Sequence, residues 1–354
     1  MLMLNFEGQK KLDLSKFLEC SLDQVKTLDL QFKEDNLDIG EFGKTLLNQF
    51  KNLKALVFYF DSCSFHLVEL LELLCAQVEN FQSLSHSAVL FQNIIYDREI
   101  YSTISKFLRS LKQTTYLNLM LYHNLRLNKS SHTKIEIDSI CQTIPSLPKL
   151  KTIKFAANPP WDNRPVLGFA PILSSLPQLE SLTVFLWLKT DAKDENKIFL
   201  SFPIPLITRL KDLAISIYFK LEDSFFASLS EQLSHAKNLE SLTLSLAYYN
   251  RIDLNQFKQL LKKLSTLKNI KQIQLSLNVA AEERENKIER LQEAMRRGHH
   301  QPFDVLVAEM NQELRRERKD IKREVAKLFE EAGCLKSITF MHAAKQYFSL
   351  TFRR

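Results

Sequence analysis

An open α/β architecture of stacked strand–helix units is predicted by three features of this 354-residue chain. A short apolar phrase recurs along it, the segments between copies switch to helical apolar spacing, and breakers are few, with 6 Gly and 10 Pro. The phrase reads Leu53-Lys-Ala-Leu56-Val-Phe58, then Leu150-Lys-Thr-Ile153-Lys-Phe155 and Leu179-Glu-Ser-Leu182-Thr-Val184. It continues as Leu210-Lys-Asp-Leu213-Ala-Ile215, Leu239-Glu-Ser-Leu242-Thr-Leu244 and Ile270-Lys-Gln-Ile273-Gln-Leu275, with a last copy at Leu335-Lys-Ser-Ile338-Thr-Phe340. Weaker copies stand at Val25-Lys-Thr-Leu28-Asp-Leu30, near Leu84 and near Leu117. Where the copies are best defined, their spacing is nearly constant: Leu28 to Leu56, and Ile153 to Leu182, Leu213, Leu242 and Ile273.

Each phrase predicts a short strand. Its last two apolar residues flank one position, so both point to the same side of a pleated segment. Between copies, Phe42, Leu46, Leu47 and Phe50 recur at helical intervals, as do Phe226, Leu229 and Leu233, then Phe257, Leu260, Leu261 and Leu264. Neither a lone strand nor a lone helix of this kind buries its apolar side. Stacking the units builds one continuous core, and a period of about 30 residues is the mark of such a solenoid.

The recurring LxxLxL phrase resembles the leucine-rich-repeat family, in particular its longer, ribonuclease-inhibitor-like branch, over about residues 20 to 278 and again 334 to 345. The family's Asn, eight residues after the first Leu, is matched by Asn158 and Asn278 and not by most copies. The resemblance implies a curved solenoid with parallel strands inside and helices outside. We expect residues 1–278 to form the array with its N-terminal cap, and residues 334–354 the final repeat and C-terminal cap.

Between Ile273 and Ile338 the spacing jumps to more than twice the usual interval. The excess, residues 279–333, is helical in composition and is broken at Gly298-His299-His300-Gln301-Pro302, as a helix stop and restart would be. Ile288, Leu291 and Met295 share one stripe on the first arm. Phe303, Val307, Met310, Leu314, Ile321, Val325 and Leu328 fall near heptad spacing on the second. A projecting helical hairpin is expected, its second arm reaching about 40 Å at the rise of an α-helix. Its charges nearly balance, 12 Lys or Arg against 13 Asp or Glu, but Arg315, Arg316, Arg318, Lys319, Lys322 and Arg323 form a local basic run. This run reads either as a solvated, ion-paired helix face or as a contact for an acidic protein surface or RNA.

In the resembled family, the positions between the lattice leucines line the concave strand surface, which commonly binds partners. In this chain the N-terminal half of that set offers Val57, Tyr59, Leu90, Tyr116, Met120 and Phe185 as candidate partner-binding residues, and the C-terminal half is rich in Ser, Thr and Gln. Of the thirty positions, only Asp29, Lys154 and Asp212 are formally charged. A surface that held phosphates would need many cations, so a nucleic acid is not expected there, whereas an apolar element of a protein is. Strand propensity alone favours Thr, Val and aromatics, which is the competing account of the same residues.

Catalytic signatures are absent from the sequence. Gly40-Glu-Phe-Gly43-Lys44-Thr45 has two residues between its glycines where a phosphate-binding loop needs four. The 8 His and 5 Cys include no HExxH and no zinc spacing, and no GxSxG occurs. The scattered cysteines Cys20, Cys63, Cys75, Cys141 and Cys334 read as buried thiols in a reducing compartment. Asn128-Lys129-Ser130 matches a glycosylation sequon by spacing only, and no apolar run approaches a membrane span. The net charge of +7 permits an acidic partner.

The expectation is therefore a non-catalytic, intracellular, most simply cytoplasmic, scaffold or adaptor. It would bind a protein partner, with no cofactor, metal, small-molecule substrate or membrane contact. Two alternatives stay open: a structural subunit of a ribonucleoprotein or of a cytoskeletal or axonemal assembly, docked through the basic hairpin, and a substrate-recognition arm of a ubiquitin ligase. Against the last, the stretch before the first copy at Val25 is short of the usual helical ligase-binding domain.

Overall fold

The computed structural model describes residues 1–7, 22–33, 50, 52–62, 67–78, 81–94, 98–123, 140, 142–158, 176–187, 204–218, 225–246, 251–280, 316, 319, 323, 327, 337–342 and 346–351. Their strands are β1 (Leu2–Glu7), β2 (Thr27–Lys33), β3 (Ala55–Asp61), β4 (His86–Ile94), β5 (Tyr116–His123), β6 (Thr152–Asn158) and β7 (Ser181–Trp187). They continue as β8 (Asp212–Tyr218), β9 (Ser241–Leu246), β10 (Arg251–Asp253), β11 (Gln272–Ser276), β12 (Asn278–Ala280), β13 (Ser337–His342) and β14 (Gln346–Thr351). The helices are α1 (Leu67–Val78), α2 (Arg98–Ser110), α3 (Ile204–Ile207), α4 (Phe225–Ser234) and α5 (Leu254–Ser265), with 3-10 turns at Leu22–Gln24 and Ile144–Ser146.

Twelve of the strands form one open sheet in the order β1-β2-β3-β4-β5-β6-β7-β8-β9-β11-β13-β14, and β10 pairs separately with β12. Strands follow chain order, as expected of stacked units. Every pairing from β1 to β13 is parallel; β14 folds back antiparallel on β13. This is a repeat solenoid of α/β type. The predicted phrases are in register throughout: Leu28 pairs with Leu56, Leu117 with Ile153, then Leu182, Leu213, Leu242, Ile273 and finally Ile338. Because β11 pairs directly with β13, the sheet crosses the long interruption without losing a rung. The hairpin expected at 279–333 lies outside the described residues, save for the end of β12 and four residues of its second arm.

The lattice residues supply the core. Strands β2 and β3 alternate half-exposed and buried side chains, and their buried members join one cluster with those of the helices. Phe226, Leu229 and Leu233 of α4, and Phe257, Leu260, Leu261 and Leu264 of α5, are buried as their spacing predicts. In the N-terminal repeats the core is aromatic. Phe32, Phe60 and Phe91 occupy paired positions on β2, β3 and β4, stacked at 5.3 Å between successive centroids, and Phe107 of α2 meets Phe58 edge-on at 5.8 Å.

The weak copies have a physical explanation. Where the lattice wants apolar residues, the copy at Leu84 carries Ser87 and the copy before Leu117 begins with Thr114. Both are buried, and their hydroxyls lie 3.0 Å apart in a hydrogen bond between adjacent repeats. Each defect satisfies the other.

Successive repeats are also joined where the strands begin. The carbonyl of Lys54 accepts N–H bonds from both Ser85 and His86, and the same double acceptance recurs at Ser85, Thr115, Lys151, Glu180, Lys211 and Glu240. From β6 onward these hinge positions alternate in charge: Lys151, Glu180, Lys211, Glu240, Lys271. Lys211 bonds Glu180 at 2.8 Å, and Lys271 bonds Glu240. Asn238 and Asn269 donate side-chain bonds to Thr208 and Lys237 carbonyls of the preceding repeat, 2.8 Å each.

Two elements were not visible in the phrase. β1 adds a further parallel strand before the first copy, with Leu2 opposite Leu28, on the alternation Leu2, Leu4, Phe6. β14 closes the other end against β13. Among the described residues, no helix is long and apolar enough to cross a membrane.

Candidate functional site

The half-buried positions between lattice residues form the face of the sheet opposite the core. Register groups them in rows that run across the strands. Tyr59 of β3 pairs with Leu90 of β4, Leu90 with Met120 of β5, Met120 with Ala156 of β6, and Ala156 with Phe185 of β7. Four of the six sequence-predicted residues on this face thus stand in one row. At about 4.8 Å per strand, Tyr59 to Phe185 spans about 19 Å. All four are half-exposed. Ala156 is only 5% exposed and stands outside the core cluster, so the small side chain is a floor between its taller neighbours Met120 and Phe185.

Tyr59 is held by its hydroxyl, which donates to Gln92 Oε1 at 2.7 Å and reaches Asp61 Oδ2 at 3.5 Å. Burial raises the phenol pKa above its ordinary value, and the Asp61 carboxylate adds to the rise. Asp61 in turn accepts from Asn93 Nδ2 at 2.9 Å and Ser62 Oγ at 3.0 Å. Ser62 and Asn93 both have positive φ (59 and 54), the latter where the β4–β5 register shifts between Gln92 and Ile94. A short polar side chain tolerates that geometry. The result is an aromatic ring fixed in place at one end of the row.

Two further tyrosines flank the row, Tyr218 beside its Phe185 end and Tyr122 on β5, midway along it. Phe185 packs on Tyr218 of β8 with centroids 5.2 Å apart. Tyr122 lies opposite Gln92 on the neighbouring strand, and burial raises its phenol pKa. Tyr122 and Tyr218 stand eight residues after the first lattice position of their copies, and the phrase gives no weight to a residue beyond its third apolar member. They widen the row into an aromatic band.

Val57 is one row away from this band, beside Ala88. Tyr116 is two rows away, about 13 Å along the strand. Its ring stacks with His86 at 5.5 Å, and Lys154 Nζ sits 5.7 Å from its centroid, a cation–π arrangement. Neighbours already occupy the ring of Tyr116, so it is set apart from the Tyr59 row. Beyond Phe185 the same row continues as Ser216, Ser245 and Ser276, which offer hydroxyls and little apolar area.

Of the predicted hairpin residues, Arg316, Lys319 and Arg323 are helical and exposed, as is Lys327. Arg315, Arg318 and Lys322 lie outside the described residues, as do Gly40–Thr45, Asn128–Ser130, His299–His300, Cys20, Cys63, Cys141 and Cys334. Cys75, on α1, is half-buried against the core. Among the described residues, no group of three or more His, Cys, Asp or Glu is arranged to hold a metal ion.

No family model and no curated protein matches the chain. Among solved structures, a Bacteroides fragilis protein determined as a structural-genomics target is 16% identical, with a TM-score of 0.37 over 72% of this chain and 69% of its own. No functional inference follows from a likeness of that size.

Proposed function

We propose that the chain is a non-catalytic recognition scaffold that binds an apolar element of a protein partner on the open face of its sheet. We read the repeat as leucine-rich, of the ribonuclease-inhibitor-like branch, on the strength of the LxxLxL phrase, and the partner as an intracellular one. The observation that carries the proposal is the single row Tyr59, Leu90, Met120, Phe185. Partner-binding energy concentrates in a few large, well-packed side chains, with aromatics prominent among them. A tyrosine already anchored by its hydroxyl loses little freedom on binding, which favours affinity.

The test is affinity purification from the native source with the wild-type chain and a Tyr59→Ala/Phe185→Ala variant. Both positions are half-exposed, so the thermal unfolding midpoint should change little while the co-purifying protein is lost. Retention of the same partner by a folded double variant would remove this face from the account. Tyr116→Ala serves as a comparison, with the smaller effect expected because its ring is already engaged by His86 and Lys154.

A further inference from the structure

Two polar side chains with incomplete bonding border the Tyr59–Phe185 row. Lys154 of β6 is exposed and stands two residues before Ala156 on the same face of the strand, about 7 Å from it. Its ammonium group lies 5.7 Å from the centre of the Tyr116 ring and, among the described residues, makes no ion pair. The described carboxylates of this face, Asp29, Asp61 and Asp212, stand on β2, β3 and β8, none of which pairs with β6. Directly opposite Lys154 on β5 is the half-buried Asn118. Among the described residues, its Oδ1 is buried and accepts no hydrogen bond. An unpaired cation and an unsatisfied acceptor thus adjoin the low point of the apolar row, where Ala156 stands between Met120 and Phe185.

We propose that the occupant of this face is an acidic–apolar peptide segment: one large apolar side chain rests on Ala156, and a single Asp or Glu carboxylate pairs with Lys154. A peptide N–H donates to Asn118 Oδ1. The inference rests on the recognition role proposed for the open face and specifies the chemistry of its partner. Charge complementarity selects the carboxylate. One cation neutralises too few phosphates to hold a nucleic acid. A phosphorylated side chain, with nearly two negative charges, calls for several guanidinium groups. A carboxylate needs one ammonium, and the Tyr116 ring steadies that ammonium without supplying an anion. The unsatisfied acceptor selects a peptide over a small apolar carboxylate, because an ionised acid has no N–H to donate and a peptide backbone has one at nearly every residue. A small molecule also prefers a concave site that encloses most of its surface, whereas this row is the face of a sheet.

The measurement is selection from a phage-displayed library of random peptides about 16 residues long, enough to span the band as a helix. The full chain is compared with Lys154→Glu, Lys154→Met and Tyr59→Ala/Phe185→Ala. Wild type should enrich peptides that carry Asp or Glu at a fixed spacing from a large apolar residue. Lys154→Glu should enrich Lys or Arg at that place instead, and should weaken the best wild-type peptide, made synthetically, by about tenfold. The loss should shrink in high salt. Should Lys154→Glu fail to fold, Lys154→Met, unbranched and at an exposed position, gives the same reading through loss of the acidic preference. Enrichment of apolar peptides without an acidic preference, or with one that the Lys154 variants share, would overturn the inference and leave apolar recognition standing. Unchanged peptide affinity in Asn118→Ala would overturn it as well. Peptides held equally well by Tyr59→Ala/Phe185→Ala, or no enrichment at all, would sink both readings. Displacement of the synthetic peptide by an equal concentration of octanoate would assign the site to a small apolar carboxylate, against the proposal.

Discussion

Replacing Ser87 with Ala tests whether the two weakest copies of the repeat are paired defects. The Ser87 hydroxyl bonds Thr114 at 3.0 Å, with the residues 2% and 0% exposed. Truncation removes little apolar area, so hydrophobic loss is small. The effect comes from the Thr114 hydroxyl, which is left buried without that partner, at a cost of about 1–3 kcal/mol. Thr114→Val alone strands Ser87 in the same way. The double variant removes both polar atoms and should approach wild-type stability, because replacing both partners by apolar groups of similar shape is nearly neutral. Equilibrium urea unfolding of the four proteins measures the coupling, expected at about 1–2 kcal/mol. Since repeat arrays can unfold in stages, hydrogen exchange of the β4 and β5 amides gives a local reading of the same cycle. Additive single effects would refute the idea that the two residues compensate one another.

Phe60→Ala opens a void between Phe32 and Phe91 and should destabilise the N-terminal repeats by about 3–5 kcal/mol, read by urea denaturation. A loss below about 1 kcal/mol would mean that the stack is not a structural element. The hinge carboxylates Glu180 and Glu240 have pKa values lowered by hydrogen bonds to Lys211 and Lys271 respectively. A depressed folded-state pKa contributes stability above the unfolded carboxylate value, lost as pH falls through the lower folded one. Unfolding midpoints measured from neutral pH to below the carboxylate range should therefore drop. The drop should shrink in high salt and in a Lys211→Met/Lys271→Met variant; an acid profile identical in that variant would show that the ladder contributes nothing.

The lattice was legible because its period and phrase are strong. Ile273 and Ile338 are separated by more than two repeat lengths of sequence, yet the phrase alone identifies them as neighbours, and the strands pair in that register. A slip of one residue would turn every lattice Leu to the open face, so burial enforces the alignment that the phrase suggests. What escaped lay outside the phrase. β1 is too short to show a period, and β14 is antiparallel, so no copy of the phrase marks it. Val57, Tyr59, Leu90, Tyr116, Met120 and Phe185 were all identified as open-face residues. Their division into a row and two outliers follows from the cross-strand register, which puts Val57 one row and Tyr116 two rows from Tyr59, Leu90, Met120 and Phe185. Tyr122 and Tyr218 were missed because they stand beyond the third apolar member of the phrase.

The two halves of the array are held together by different means, and the difference bears on where the proposed recognition would be sited. The repeats of β2 to β4 stack phenylalanines inside the core, and their hinge positions are Lys26, Lys54 and Ser85, with no alternation of charge. From Lys151 to Lys271 the hinges alternate Lys and Glu, and the buried residues in register with Phe32, Phe60 and Phe91 become Leu121, Ala157, Leu186 and Ile217. Apolar cohesion inside the sheet does not depend on the outer surface, so the N-terminal repeats can leave Tyr59, Leu90 and Met120 half-exposed without needing them for stability. In the later repeats the open face falls to Ser216, Ser245 and Ser276, whose short side chains add little area to any interface. An apolar partner element therefore gains most by lying across β3 to β8. Its length would be about 24 Å, set by the strand spacing and the distance from Tyr59 to Tyr218.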